Sequence, residues 1–177
     1  MKLILYIFLI YKMQVLVSQS QPLRKLEQAF LTAASSGNKN KVKKLLEIVN
    51  VNIKNYIGET ALLLASIYDH KDIVELLLEA GADTDLRDVF GSTALIHASR
   101  NGKTEIVRLL LKAGVNVNIQ NDDGWTALKY ASMSGHKEIV RLLLNKGADK
   151  TLQTKWVKTA LKLASMSGHK EIVELLQ

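Results

Sequence analysis

The segment Thr126 to Leu143, TALKYASMSGHKEIVRLL, returns thirty-three positions later as TALKLASMSGHKEIVELL, Thr159 to Leu176. Only Tyr130 against Leu163 and Arg141 against Glu174 differ. The same frame carried backwards finds TALIHASRNGKTEIVRLL from Thr93 and TALLLASIYDHKDIVELL from Thr60. A fixed period of this length describes supersecondary units stacked side by side, not a chain wrapped around one closed core.

Within each unit the apolar residues form two helical stripes. Leu62, Leu95, Leu128 and Leu161 recur with Ala65, Ala98, Ala131 and Ala164 on a short first helix. Ile73, Ile106, Ile139 and Ile172, each followed by a valine, open a second helix. The leucine pairs Leu76–Leu77, Leu109–Leu110, Leu142–Leu143 and Leu175–Leu176 widen that second stripe beyond what one partner helix can cover. Each such side chain gains roughly 1.5 to 3 kcal/mol on burial, so a unit becomes stable by stacking on its neighbours, and about three are needed.

Glycines punctuate the units. Gly81, Gly114 and Gly147 follow the second helix where a left-handed cap is expected, and Gly58, Gly91 and Gly124 precede the first helix in a tight turn. Thr60, Thr93, Thr126 and Thr159 then stand where N-caps are expected. The intervening segments, such as VNVNIQNDDG, read as protruding turns.

GxTAL, SGHKEIVRLLL and KGAD, occurring together at one period, resemble the ankyrin-repeat family, and the resemblance covers about Leu23 to Gln177. The resemblance implies an all-α solenoid of helix-turn-helix units with protruding β-turn or hairpin loops, acting as a protein-binding module. The sequence departs from the family's TPLH: Ala61, Ala94, Ala127 and Ala160 replace its proline, and Leu63, Ile96, Lys129 and Lys162 its histidine. The threonine–histidine hydrogen bonding implied by the family is therefore missing, and less rigid helix starts are expected.

The chain has 177 residues, 47% of them apolar and 23% charged, with one proline, a composition that suits one globular domain. The lack of cysteine excludes disulfides, thiol catalysis and cysteine-based zinc sites. Residues 1–20, MKLILYIFLIYKMQVLVSQS, fall outside the period. Lys2, the apolar run Leu3 to Tyr11 and the small Ser18 and Ser20 suggest a secretory signal cleaved after Ser20, although Lys12 splits the apolar stretch. A short uncleaved anchor and a translation start at Met13 are the alternatives; a full span would need about twenty apolar residues. The protein is expected to be exported if this leader is a signal, and cytoplasmic otherwise.

Residues 21–177 then form the repeat domain. Units are expected at 22–54, 55–87, 88–120, 121–153 and, truncated, 154–177. The first lacks the GxT turn and reads as a cap with a basic outer face of Arg24, Lys25, Lys39, Lys41, Lys43 and Lys44. The last is nearly a copy of its neighbour, which leaves three explanations: a short cap tolerating exposure, a cut from a longer array, or an end face that self-associates weakly.

No HExxH, GxxxxGK or GxSxG motif is present. His70, His136 and His169 share one repeat position, so stacking spreads them along the array and gives them a structural role at a turn. His97 has no carboxylate at a ligand-pair spacing, and the Asp122–Asp123 and Asp83–Asp85 pairs cap or solvate turns. No catalytic residue, metal or cofactor is expected, and the protein is read as a non-enzyme.

Recognition is the stronger signal. Tyr56, Phe90, Trp125 and Trp156 give each turn one aromatic outside the repeating stripes, in a chain only 6% aromatic. They suggest a ladder of anchors for another protein; rings that merely pack over the neighbouring turn are the alternative. Tyr68, Arg100, Tyr130, Met133 and Met166 vary on the first helices and join the candidate surface, with Arg100 and Asp122 fixing orientation. The net charge of +7 is segmental: +2 over residues 1–20, +5 over 21–54, −3 over 55–120 and +3 over 121–177. Basic ends around an acidic middle argue against a continuous nucleic-acid track. The competing function is a basic surface binder of nucleic acid or anionic membrane, acting through Lys39, Lys41, Lys43 and Lys44.

Overall fold

The computed structural model describes residues 21–177, so the leader expected at residues 1–20 lies outside the described residues. The first unit holds α1, described over residues 21–35, and α2, Lys39–Leu45. Four further helix pairs follow at the expected period: α3 (Ala61–Ile67) with α4 (Lys71–Glu79), α5 (Ala94–Arg100) with α6 (Thr104–Lys112), α7 (Ala127–Met133) with α8 (Lys137–Asn145), and α9 (Ala160–Met166) with α10 (Lys170–Leu176). No strand occurs among the described residues. The first helices stack on one another in order, as do the second helices, which gives the all-α two-row solenoid that the spacing implies.

Burial follows from the stripes. A seven-residue helix such as α3 covers only two turns, yet Ala61 through Ser66 are all buried, because its faces meet both its own partner and the neighbouring units. The second helices are amphipathic: α8 buries Ile139, Val140 and Leu143 and leaves Arg141 in solvent. Leu110 and Leu143 are fully buried, while Leu109 and Leu142 beside them are half-buried against the core. In the last unit this layer is open on its outer side: Ser165 is exposed, whereas Ser66, Ser99 and Ser132 at the same position have no exposure.

The helix starts are regular despite the missing proline and histidine. Thr60, Thr93, Thr126 and Thr159 each accept a hydrogen bond from the backbone N–H three residues on, at 3.2 to 3.4 Å. Such a cap stabilises by about 1 kcal/mol. The caps form without the family's proline and histidine because the threonine needs only a backbone donor.

The joints between units are built from backbone and side chains together. Val89, Asp122 and Lys155 donate their N–H groups to the carbonyls of Ile57, Phe90 and Asp123 in the preceding turn. Lys54, Arg87 and Gln120 reach across to the carbonyls of Arg87, Gln120 and Gln153, one period on. At the other end of the helices, His70, His136 and His169 approach the carbonyls of Ser35, Arg100 and Met133 at 2.9, 3.2 and 3.0 Å through Nε2. A carbonyl only accepts, so Nε2 carries the proton in each ring. These rings lie over Gly37, Gly102 and Gly135, where a β-carbon would come within 2.8 Å of the imidazole. All three glycines also have positive φ, so two independent reasons require glycine there.

Candidate functional site

The turns that begin each unit are closed by one device. Asn55, Asp88 and Asn121 accept from the backbone N–H groups two and four residues ahead, and Thr154 does the same through its hydroxyl. Residues between these points are therefore held outward on a fixed backbone. Tyr56 is 92% exposed, Phe90 67% and Trp156 61%. The rings do not share one place in the turn. Tyr56 stands in the second position, Phe90 and Trp156 in the third, and Trp125 in the fifth.

That difference separates Trp125 from the others. It is half-buried and stacks on Tyr130 of α7, with ring centroids 4.5 Å apart and planes 25° apart. The Arg100 guanidinium from α5 lies 5.4 Å from the centre of the Tyr130 ring. Arg100, Tyr130 and Trp125 thus form one layered cluster spanning two units, a cation over an aromatic pair worth about 1 to 2 kcal/mol beyond area burial. Asp122, at the tip of the same turn, takes an ion pair from Arg87 at 3.1 Å. Arg87 also holds the carbonyls of Gly91 and Gln120, a role its position just before the turn did not reveal in the sequence.

Of the remaining candidates, Tyr68 is exposed and stacks at 6.5 Å on His70, Met166 is exposed, and Met133 is half-buried. His97, which the sequence left without a carboxylate, pairs with Asp88 Oδ2 at 2.8 Å, and the Asp88 side chain is almost wholly buried. The turn brings together two residues nine apart, a spacing with no helical signature. Val157 occupies the turn position held elsewhere by Gly58, Gly91 and Gly124, at φ +56°. A β-branched residue there costs roughly 1 to 2 kcal/mol, and its side chain projects into solvent beside Trp156.

Lys129 fills the place of the family's histidine and is only 1% exposed. Its ammonium donates to the Gly124 carbonyl at 2.6 Å, in the turn that carries Trp125; Gln120 Nε2 donates to the same oxygen at 3.0 Å. Burial pushes the lysine down from 10.5 to about 8, against the opposing pull of the Asp149 charge. The unfolded chain keeps this proton up to the ordinary value while the folded chain gives it up near 8, so the group makes stability rise with pH between those limits. Lys129→Leu, copying Leu63, is expected to stabilise the protein at pH 7 by about 1 to 3 kcal/mol. It is also expected to flatten the rise above pH 8, read by urea denaturation across pH; a variant less stable than the parent at pH 7 would contradict this. Gly124 keeps its bond from Gln120 in the variant.

Among the described residues no group of three or more histidines or carboxylates could hold a metal ion, and no helix is long and apolar enough to cross a membrane.

Comparison with known proteins agrees with the architecture. The family described as ankyrin repeats (3 copies) matches residues 8–88 and again 81–154, beginning inside the stretch read as a leader. Human mitochondrial disaggregase is 43% identical over 63 residues, 35% of this chain and 9% of that protein. The putative ankyrin repeat protein YahD of Escherichia coli (strain K12) is 37% identical over 67 residues, 37% of this chain and 33% of its own length. Human short transient receptor potential channel 3 is 45% identical over 56 residues, 30% of this chain and 6% of the channel. The chain therefore spans a third or less of the relatives it matches. Ankyrin repeats are generally protein–protein interaction modules and typically non-enzymatic. With the family's pattern running through most of its length and the stacked helix pairs to match, the chain belongs to the ankyrin-repeat family.

Proposed function

We propose that the protein is a non-enzymatic module that binds another protein across its turn tips and the exposed side of its first helices. The observation that supports this most is the solvent exposure of Tyr56, Phe90 and Trp156 on turns whose backbone is pinned by side-chain caps and inter-unit hydrogen bonds. Large rings left in water on a rigid frame gain area on binding with little loss of conformational freedom. The Arg100–Tyr130–Trp125 cluster extends the surface inward from the tips, with Met133 and Met166 alongside as adaptable contacts. Charge at the tips is largely internally paired, Arg87 with Asp122 and Lys155 with Asp123, so the contact is read as mainly apolar.

The test is capture of binding proteins by the full chain and by a Phe90→Ala/Trp156→Ala variant. Removal of true anchors costs about 2 kcal/mol or more each, so at least one captured protein should be lost from the variant and kept by Arg141→Ala on the second-helix row. An unchanged set of captured proteins, or binding that disappears with salt while ignoring the tip variant, would move the site to the lysines of the first unit.

A further inference from the structure

We propose that the joint between the second and third units is the place at which this array parts first. Two observations set it apart from the other joints. The first lies at the turn between helices. Where the other four units have glycine, the second has Asp69, at φ +65°. An imidazole over this residue would lie where its β-carbon stands, judging by the 2.7 to 2.8 Å approaches at Gly37, Gly102 and Gly135. The following unit accordingly has Lys103 in the histidine position, and its ammonium meets Asp69 Oδ2 at 3.2 Å. A carbonyl bond under a packed ring is thus exchanged for an ion pair whose side chains are 31% and 48% exposed. Exposed pairs of this kind contribute little, and aspartate in the left-handed region carries a conformational cost that glycine avoids.

The second observation lies on the second helices. Lys39 reaches Asp72, Arg108 reaches Glu138, and Lys137 reaches Glu171, each across a joint. Between α4 and α6 no ion pair crosses among the described residues. Glu75 occupies the place from which Arg108 reaches over, and it turns back to Lys71, while Glu105 turns to Arg108 in its own helix. The joint keeps the turn ladder and the packing of α3 on α5 and of α4 on α6, but it has an exposed ion pair in place of the histidine–carbonyl bond and none between its second helices.

The two sides carry different parts of the candidate surface, Tyr56 on one and Phe90, Trp125 and Trp156 on the other. Opening here would divide that surface. This consequence rests on the protein-binding reading above, whereas the joint itself is tested on the free chain. Native-state hydrogen exchange of the full chain should show the amides of α3 and α4 opening at lower free energy than those of α5 to α8. Asp69→Gly/Lys103→His, which rebuilds the joint used elsewhere, should raise protection in α3 and α4 by about tenfold, the worth of roughly one hydrogen bond. Glu75→Arg, which offers Glu105 a partner across the joint, should shift it in the same direction. Exchange of α3 to α8 as one unit in the parent chain, or protection of α3 and α4 unmoved in both variants, would overturn the proposal.

Discussion

Gly135→Ala is expected to destabilise the protein by about 2 to 4 kcal/mol, whereas Gly168→Ala costs about 1 to 2 kcal/mol. Both glycines have nearly the same backbone conformation, φ +80° and +77°, so the conformational cost of a β-carbon is shared. They differ in what lies above them. An alanine at 135 would bring its β-carbon to 2.7 Å from the His169 ring, while at 168 nothing lies within 4 Å. The imidazole must then tilt, and its bond to the Met133 carbonyl weakens with it. The difference between the two variants, measured by urea denaturation with unchanged slope, isolates the joint from the turn. Equal losses at both positions would mean that the ring contributes nothing to stacking.

The same comparison shows why the fold was legible and the surface only partly so. The period, the stripes and the glycines are local facts repeated along the chain, and stacking turns each of them into the same structure every time. Leu110 and Leu143 are buried for the reason their spacing gives. Side-chain environments depend in addition on what lies over them. Lys129 and Lys162 sit in identical TALK contexts, yet one is buried and the other exposed, because a following unit covers the first and nothing covers the second among the described residues. Trp125 read as a tip residue like Phe90; its fifth place in the turn, next to the capping threonine, instead swings it onto Tyr130. The Asp88–His97 pair and the Arg87–Asp122 bridge required the turn's three-dimensional course and had no periodic signal. Asp69 and Lys103 stand in the glycine and histidine places of the repeat, and what links the two places is the ring that the glycine seats, which has no periodic signal of its own.

The largest effect follows from the modular character of the stack. In such arrays stability approximates a sum over units and their joints, so a whole unit can be removed in register at the cost of one of each. A chain lacking residues 121–153 joins Gln120 to Thr154 and brings His169 over Gly102, recreating a glycine–histidine joint of the kind seen at the neighbouring unit. It also deletes Trp125, Tyr130 and the buried Lys129, so any binding that uses the layered cluster should be lost with them.

Circular dichroism of this shortened chain through a urea titration is the most direct test of whether the protein is held together at its joints. A helical protein that unfolds in a single cooperative transition, with a lower midpoint and a smaller slope than the parent, is the expected result. A chain with no helical signal in the absence of urea, or one melting without cooperativity, would contradict it.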